Sequence, residues 1–113
     1  MNKYMFDALK EAENGVISND GGPFGAVITD KSGNIIAKGH NMVLKNTDPT
    51  SHAEIVAIRK ACNKLNTIDL SNYILYIFPT YFKISFLTDR TSQHDKYLET
   101  YQNILLYLKC NVH

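Results

Sequence analysis

Cysteine, tryptophan and long apolar runs are scarce or missing in this chain of 113 residues. It contains two cysteines, Cys62 and Cys110, and no tryptophan. Two cysteines do not make a disulfide framework, and in a reducing compartment we expect both to remain thiols. No apolar run approaches the roughly 18 residues that span a bilayer, and the N-terminal residues lack the apolar centre of a signal peptide. We therefore expect a cytoplasmic location and no membrane partner.

The chain also lacks an excess of charge of either sign. Its 12 Lys and Arg residues nearly balance 11 Asp and Glu residues, which leaves a formal net charge of +1. This balance gives no reason to expect a nucleic-acid partner. Hydrophobic residues make up 44% and charged residues 20%, as in ordinary globular proteins. Because no linker or repeat interrupts the sequence, we expect a single domain over residues 1–113.

Hydrophobic periodicity predicts the order of helices and strands up to Phe78. Apolar residues recur at helical spacing over residues 2–17 and again over residues 51–65. Between these helices, residues 24–30 and 35–43 predict two strands joined by a hairpin turn, with a loop over 44–50. The run YILYIF, residues 73–78, is typical of a buried strand. This order predicts an α/β fold with a mixed sheet.

A different pattern begins after Pro79. Apolar and polar residues alternate in YFKISFLT, residues 81–88, which predicts a further strand. A polar break follows, and tyrosines and leucines at helical spacing then predict a final helix over about residues 95–109.

The segment TSHAE, residues 50–54, has two interpretations. Ser51 and Glu54 have the spacing of a capping box, in which case Ser51 begins a helix and His52 faces solvent. Residues of the first turn can also converge on the space beyond the helix end, where free N–H groups carry a positive partial charge. A histidine and a glutamate placed there are suited to bind a metal ion and to carry protons.

The surrounding stretches resemble a known family. The chain reads GGPFGAVITD from residue 21, GHNMV from residue 39 and DPTSHAEIVAIRKA from residue 48. Over about residues 1–76 it resembles the cytidine and deoxycytidylate deaminase superfamily, and within it most resembles the guanine deaminase type. The established signature of these zinc deaminases is H-x-E followed later by P-C-x-x-C. The resemblance implies a three-layer cytidine-deaminase-like fold, with helices on both faces of a mixed sheet.

The resemblance also implies a cofactor, a substrate class and an assembly. His52 matches the zinc-binding histidine, and Glu54 matches the glutamate that carries protons to and from zinc-bound water. The substrate is a small molecule, a nucleobase or nucleoside. The form GGPFGA differs from the valine-proline-valine-glycine-alanine form typical of tRNA adenosine deaminases, which favours a free base or nucleoside. Members of the family are commonly dimers, so a homo-oligomer is expected.

Four further residues match the substrate side of such a site. Asn41 matches the asparagine that hydrogen-bonds the base, and Phe24 matches an aromatic residue that packs against it. Gly25 and Ala26 match a stretch that approaches the substrate closely. From the residues alone, Asn41 can equally be a turn residue at a strand end, and Phe24 a core residue. His40, next to Asn41, is expected on the opposite strand face, in solvent.

The second half of a zinc site is missing from the sequence. A catalytic zinc has three protein ligands, and the resemblance implies two cysteines within residues 77–85, which read IFPTYFKIS. Phe82 and Ser85 stand where the thiolates belong. Cys62 lies ten residues after His52 on the same predicted helix. At a rise of about 1.5 Å per residue Cys62 is too distant to bind the same ion as His52. We therefore expect Cys62 to be a small, buried hydrophobic residue.

Residues 77–113 do not resemble the family. A substitute zinc site built from His94, Cys110 and His113 needs three coincidences and is not expected. The loss of similarity after Tyr76 predicts a frameshift, an intron read as coding sequence or a truncated gene copy. If the DNA after the Tyr76 codon encodes no P-C-x-x-C in either of the other two frames, the frameshift is excluded and a divergent paralogue remains as the explanation.

Three functions remain open at this stage. The first is zinc-dependent hydrolytic deamination of a nucleobase or nucleoside, impaired here because the P-C-x-x-C ligands are absent. The second is a catalytically inactive deaminase-like remnant or interaction subunit. The third is an unrelated α/β binding module with a chance H-A-E, which predicts that Phe24, Asn41, His52 and Glu54 do not converge.

Overall fold

The computed structural model describes residues 2–79 and 111–112 of the chain. In chain order the elements are α1 (Lys3–Ile17), β1 (Gly25–Asp30), β2 (Ile35–His40), α2 (Val43–Asn46), α3 (Ala53–Leu65), β3 (Tyr73–Phe78) and β4 (Asn111–Val112). The predictions of a strand over residues 81–88 and a helix over residues 95–109 lie outside the described residues. None of the described helices has the length and apolar character of a membrane span.

The strands form one sheet in the order β2-β1-β3-β4. Strand β1 is antiparallel to both β2 and β3, whereas the short β4 runs parallel to β3. This arrangement confirms the predicted mixed sheet. The connection from β2 through α3 to β3 passes over β1, so the first and last strands of that crossover are not neighbours.

Apolar side chains on both faces of the sheet explain the layers. One core lies between the sheet and α3 and includes Ala26, Ile28 and Leu75 of the strands with Ala57 of the helix. The other lies between the sheet and α1, where Val27 packs with Ala8 and Tyr76. Neighbouring residues of a strand point to opposite faces, and here both faces are covered. The predicted helices on both faces of the sheet are confirmed.

The hairpin between β1 and β2 is built as the sequence predicts. Asp30 Oδ1 accepts hydrogen bonds from the backbone N–H groups of Ser32 and Asn34, both at 2.9 Å. Gly33 has φ +91°, a conformation that favours glycine. The side-chain amide of Asn34, followed by its backbone N–H, holds the pKa of Asp30 below its ordinary value. Tyr4 of α1 donates its hydroxyl to Gly33 O at 2.8 Å and so ties the turn to the helix.

The second strand and the loop after it differ from the prediction. Strand β2 ends at His40 and not at residue 43, and the helix α2 replaces part of the predicted loop over 44–50. The cause is local capping, because Asn41 Oδ1 accepts from the N–H of Val43 at 3.0 Å. The carbonyl of Asp20 accepts from the N–H groups of Leu44 and Lys45, both at 3.0 Å. These acceptors stabilise a short helical turn.

Two lysines of α3 cover the outer edge of β2. Lys60 Nζ donates to Lys38 O at 3.0 Å, and Lys64 Nζ donates to Ile36 O at 3.4 Å. Among the described strands β2 lies at one edge of the sheet, where unpaired backbone groups invite pairing with another chain. Charged side chains at such an edge are a recognised protection against that pairing.

Removal of both edge lysines is expected to promote self-association. In the double variant K60A/K64A the carbonyls of β2 lose their ammonium partners, and the edge becomes available to a second copy. Light scattering after size exclusion should show a concentration-dependent rise of the average mass, by about twofold at the highest concentration. The variant K3A/K10A, with the same change of charge on α1, is the control. Equal masses for the two variants would contradict a protective role.

Candidate functional site

Helix α3 begins differently from the capping-box interpretation. Its N-cap residue is His52, with φ −68° and ψ 156°, and its first helical residue is Ala53. The hydroxyl of Ser51 donates to Asp48 Oδ2 at 2.9 Å. The prediction that Ser51 begins the helix is therefore wrong, because the N–H of Ser51, which Glu54 would accept in a capping box, donates to Asp48 O at 3.1 Å. Ser51 is fully buried and belongs to the loop that precedes His52.

Asp48 organises this loop. Its Oδ1 accepts from the backbone N–H and from the hydroxyl of Thr50, at 2.9 and 2.7 Å. The N–H of Thr50, then its hydroxyl and that of Ser51, hold the pKa of Asp48 below its ordinary value. Asp48 therefore stays ionised at neutral pH and keeps a fixed chain path into α3.

The first turn of α3 brings His52 and Glu54 together. His52 Nδ1 lies 3.7 Å from Glu54 Oε1, and the side chains are 27% and 0% exposed. A negative charge is stabilised at a helix N-terminus, but full burial of a carboxylate still costs free energy unless other groups compensate it. A glutamate that only caps a helix at the surface remains hydrated, so it does not incur this cost. The burial of Glu54 therefore favours the functional interpretation of TSHAE.

Backbone hydrogen bonds bring the other predicted residues to the same end of the sheet. The N–H of Asn41 donates to Phe24 O at 3.2 Å, and the N–H of Met42 donates to Ser51 O at 2.9 Å. The ends of β1, β2 and α3 that carry Phe24, Asn41, His52 and Glu54 thus lie side by side. This placement counts against the unrelated binding module, which predicts that the four residues do not converge on one pocket.

Asn41 and Phe24 also have structural roles. Asn41 is buried, and its Oδ1 caps the start of α2 through Val43. The amide nitrogen Nδ2, which can only donate, takes no part in this contact. Phe24 packs against the core under α3, the core that includes Ala26 and Ala53. The turn and core interpretations of these two residues are therefore compatible with a place in the site.

Gly25 and Ala26 face opposite sides of the sheet. Ala26 packs in the core under α3, on the side of His52 and Glu54. A Cβ atom added to Gly25 would overlap the carbonyl oxygen of Ala8 in α1. The need for glycine at position 25 therefore comes from the approach of α1 to β1.

His40 is not in solvent, so that prediction is wrong. Its Nε2 lies 2.7 Å from Asp20 Oδ2 and its Nδ1 lies 3.5 Å from Glu11 Oε1, and its side chain is 18% exposed. The pairing of His40 with Gly25 places the ring over Gly15, where a Cβ atom would lie 2.8 Å from His40 Cδ2. Sequence reasoning missed this cluster, although Glu11 and Gly15 share one helix face and leave room for a ring.

The described residues do not fit a catalytic zinc ion. Within residues 2–79 and 111–112, no three side chains of His, Cys, Asp or Glu lie close enough to hold a metal. Three protein ligands are required, and among the described residues the one cysteine, Cys62, lies ten residues after His52 along α3. Cys62 packs against the α3-side core, as predicted, although it is half-buried, and burial raises the pKa of its thiol.

The remaining predictions for the metal fall outside the described residues. They concern Phe82 and Ser85 at the positions of the missing cysteines, and the substitute ligands His94, Cys110 and His113. At the sequence level, residues 77–85 contain no cysteine. Strand β3 ends beside the start of β1, since Phe78 pairs with Gly25.

The mixed sheet with helices on both faces defines an α/β domain, and helix α3 of this domain opens on a histidine and a buried glutamate. Residues 1–85 match the family described as the cytidine and deoxycytidylate deaminase zinc-binding region, and the chain belongs to this family.

Individual relatives agree with this assignment. The chain is 54% identical over 73 residues to the guanine deaminase of Bacillus subtilis, with 65% of this chain and 46% of the relative covered. It is 46% identical over 70 residues to a tRNA-specific adenosine deaminase of Aquifex aeolicus, with 62% and 45% covered. The chain thus spans about half the length of the curated relatives that it matches.

Solved structures show the same fold. The X-ray structure of the Bacillus subtilis guanine deaminase matches with TM-score 0.63 and 48% identity, covering 68% of this chain and 50% of that chain. A variant protein crystallised with 8-azaguanine matches with TM-score 0.63 and 25% identity, covering 96% of this chain and 73% of that chain. The predicted cytidine-deaminase-like fold is confirmed.

Proposed function

We propose that this chain is built for hydrolytic deamination of a nucleobase or nucleoside, of the guanine deaminase type, and that its turnover is impaired. In this reaction water adds to the ring carbon that bears the amino group, and ammonia leaves. The observation that carries the proposal is the fully buried carboxylate of Glu54, 3.7 Å from His52 Nδ1, at the sheet end that also holds Asn41.

Four residues of the chain have separate roles in this proposed reaction. Glu54 carries protons between water and the leaving amine, which is the role of a general base and then a general acid. Its surroundings exclude bulk water, since its side chain is fully buried. Asn41 holds the base through Nδ2, and Phe24 packs beside it. Ala26 leaves room on the same face of the sheet.

The substrate class follows from two sources. The segment GGPFGA, residues 21–26, favours a free base or nucleoside. The relative with 54% identity is a guanine deaminase, and a related structure was solved with the guanine analogue 8-azaguanine. The first source favours a small-molecule base or nucleoside over a tRNA, and the second supports an aminopurine base as the ligand. A cytoplasmic location and a homo-oligomeric assembly are part of the same proposal.

The proposal that turnover is impaired rests on the number of protein ligands available to zinc. The family works with zinc, which needs three protein ligands, and within residues 2–79 and 111–112 no group of three His, Cys, Asp or Glu side chains is placed to hold it. The same observation supports a second candidate, a deaminase-like chain that has lost catalysis and acts as an interaction subunit. The two candidates differ in base binding, because only the first keeps a functional base site.

One set of measurements on the purified chain tests the proposal. Ammonia release is followed with guanine, cytosine and cytidine, with and without added zinc, while zinc content is measured by mass spectrometry. We expect well below one zinc per chain, ammonia release near background, and measurable calorimetric binding of 8-azaguanine. We expect the variant N41A, which loses its bond to the base and its Oδ1 contact to Val43, to bind about tenfold more weakly. The matched control is N63A, on the exposed end of α3.

Other results have definite meanings. Stoichiometric zinc together with turnover that E54Q abolishes would show that the ligand argument is wrong. Absence of binding for every base would favour the inactive chain. Light scattering of the chain mixed with an intact homologue then tests the interaction subunit, for which a mixed complex is expected.

A further inference from the structure

A cluster of titratable side chains lies on the α1 side of the sheet, outside the site described above. It joins Glu11 of α1, Asp20 of the following loop and His40 at the end of β2. His40 Nε2 is 2.7 Å from Asp20 Oδ2, and His40 Nδ1 is 3.5 Å from Glu11 Oε1. The first distance is that of a strong hydrogen bond and the second is long for one. A carboxylate only accepts, so Nε2 carries the hydrogen.

Asp20 connects this cluster to the chain around Asn41. Its carboxylate accepts from His40, and its backbone carbonyl accepts from the N–H groups of Leu44 and Lys45 at 3.0 Å. Asp20 is therefore attached to the chain on both sides of Asn41. The carbonyl contact closes the first turn of α2, whose Val43 N–H is already bound to Asn41 Oδ1 at 3.0 Å.

The residue after Asp20 fixes Asn41 directly. A Cβ atom added to Gly21 would overlap Asn41 Oδ1 and would lie 2.8 Å from Asn41 Cγ. The backbone of the loop therefore packs against the amide of Asn41. Any movement of Asp20 away from His40 moves Gly21 and removes this support.

We propose that the hydrogen bond between His40 and Asp20 is a latch that positions Asn41, and that His40 is a positioning residue for the bound base. The inference rests on the proposed base-holding role of Asn41. His40 itself does not touch the ligand, because its ring lies on the α1 face, over Gly15. It acts through the loop at residues 20–21 and through the first turn of α2.

A matched pair of substitutions tests the latch. The amide nitrogen of glutamine can take the place of imidazole Nε2, whereas the amide nitrogen of asparagine reaches only the place of Nδ1. We expect H40Q to keep the bond to Asp20 and to bind 8-azaguanine within about threefold of the parent chain. We expect H40N to bind about tenfold more weakly, since the loop at Asp20 is released. Rescue by glutamine alone identifies the Nε2 contact.

A second measurement does not depend on any ligand. Amide hydrogen exchange reports local opening, and the amides of Val43, Leu44 and Lys45 donate to Asn41 or Asp20. In H40N we expect these amides to exchange about tenfold faster, with amides in the middle of α3 unchanged, and in H40Q we expect rates like those of the parent.

Several results would overturn the latch. The latch hypothesis is wrong if the amides of Val43, Leu44 and Lys45 exchange at the same rate in H40N and H40Q. It is also wrong if H40N speeds amide exchange throughout α3, because that result marks a general loss of stability. Local exchange that rises while 8-azaguanine affinity stays constant would remove the link to Asn41. If the parent binds no base at all, the proposed function fails, and the exchange measurements still decide whether the latch exists.

Discussion

Replacement of Gly25 by alanine is expected to destabilise the chain by about 3 kcal/mol, at the upper end of the cost of overpacking. The added methyl group would overlap the carbonyl oxygen of Ala8 and lie 2.8 Å from the backbone nitrogen of Ala12. These are backbone atoms of α1, so they cannot rotate away as a side chain can. The helix must move from the sheet as a whole. Urea unfolding followed by circular dichroism measures the loss.

The control for this variant is alanine at Gly22. There a Cβ atom would meet the ring of Phe24 at 2.9 Å, and that ring is a side chain that can shift. We expect a change below about 1 kcal/mol, because the reduced entropy of the unfolded chain offsets part of the strain. Similar unfolding midpoints for the two variants would contradict the close approach of α1 to β1.

Replacement of Gly39 by alanine is expected to damage the site as well as the fold. The new Cβ atom would lie 2.7 Å from the nitrogen of Ala57 and 2.8 Å from the oxygen of Ala53, both in the backbone of α3. We expect a loss of about 1–3 kcal/mol from the displaced helix. Because Ala53 lies between His52 and Glu54, we also expect 8-azaguanine binding to weaken by about tenfold or more. Urea unfolding and calorimetry measure the two effects.

A neighbouring substitution separates the two effects of Gly39→Ala. Lys38→Ala lies on the exposed side of the same strand, and we expect it to change stability by no more than about 0.5 kcal/mol and to leave base binding unchanged. If Gly39→Ala lowers stability but leaves base affinity intact, the position of α3 on β2 does not control the site.

Periodicity predicted those elements that bury a regular apolar pattern. The two long helices, the hairpin and the run YILYIF all have one dominant spacing, so their type followed from the residues. The start of α3 did not, because Ser51 had a choice of partners. A serine three residues before a glutamate predicts a capping box, in which Glu54 accepts from the N–H of Ser51, yet Asp48 lies equally near on the other side and its carbonyl oxygen accepts from that N–H at 3.1 Å. Spacing alone does not rank two competing acceptors.

The site was predictable only as far as it depends on local sequence. His52 and Glu54 share one helix turn, so their proximity followed from TSHAE. The surroundings of His40 depend on the register in which it pairs with Gly25, and on α1 crossing that face with Gly15. These are long-range facts of the fold, and one chain contains no periodic signal for them. For the same reason the contacts of Asp20 could not be predicted, although Asp20 directly precedes the segment GGPFGA.

The hydrogen bonds around Asp48 set an acid limit on the site. A carboxyl group whose pKa is lower in the folded chain than its ordinary 3.8 contributes stability that is present above 3.8 and disappears as pH falls through the folded value. Across the mildly acidic and neutral range Asp48 therefore keeps its charge and its hydrogen bonds to Thr50 and Ser51. In strong acid this loop loses its organising charge, as the hairpin turn at Asp30 does, so the entrance to α3 is an acid-labile part of the fold.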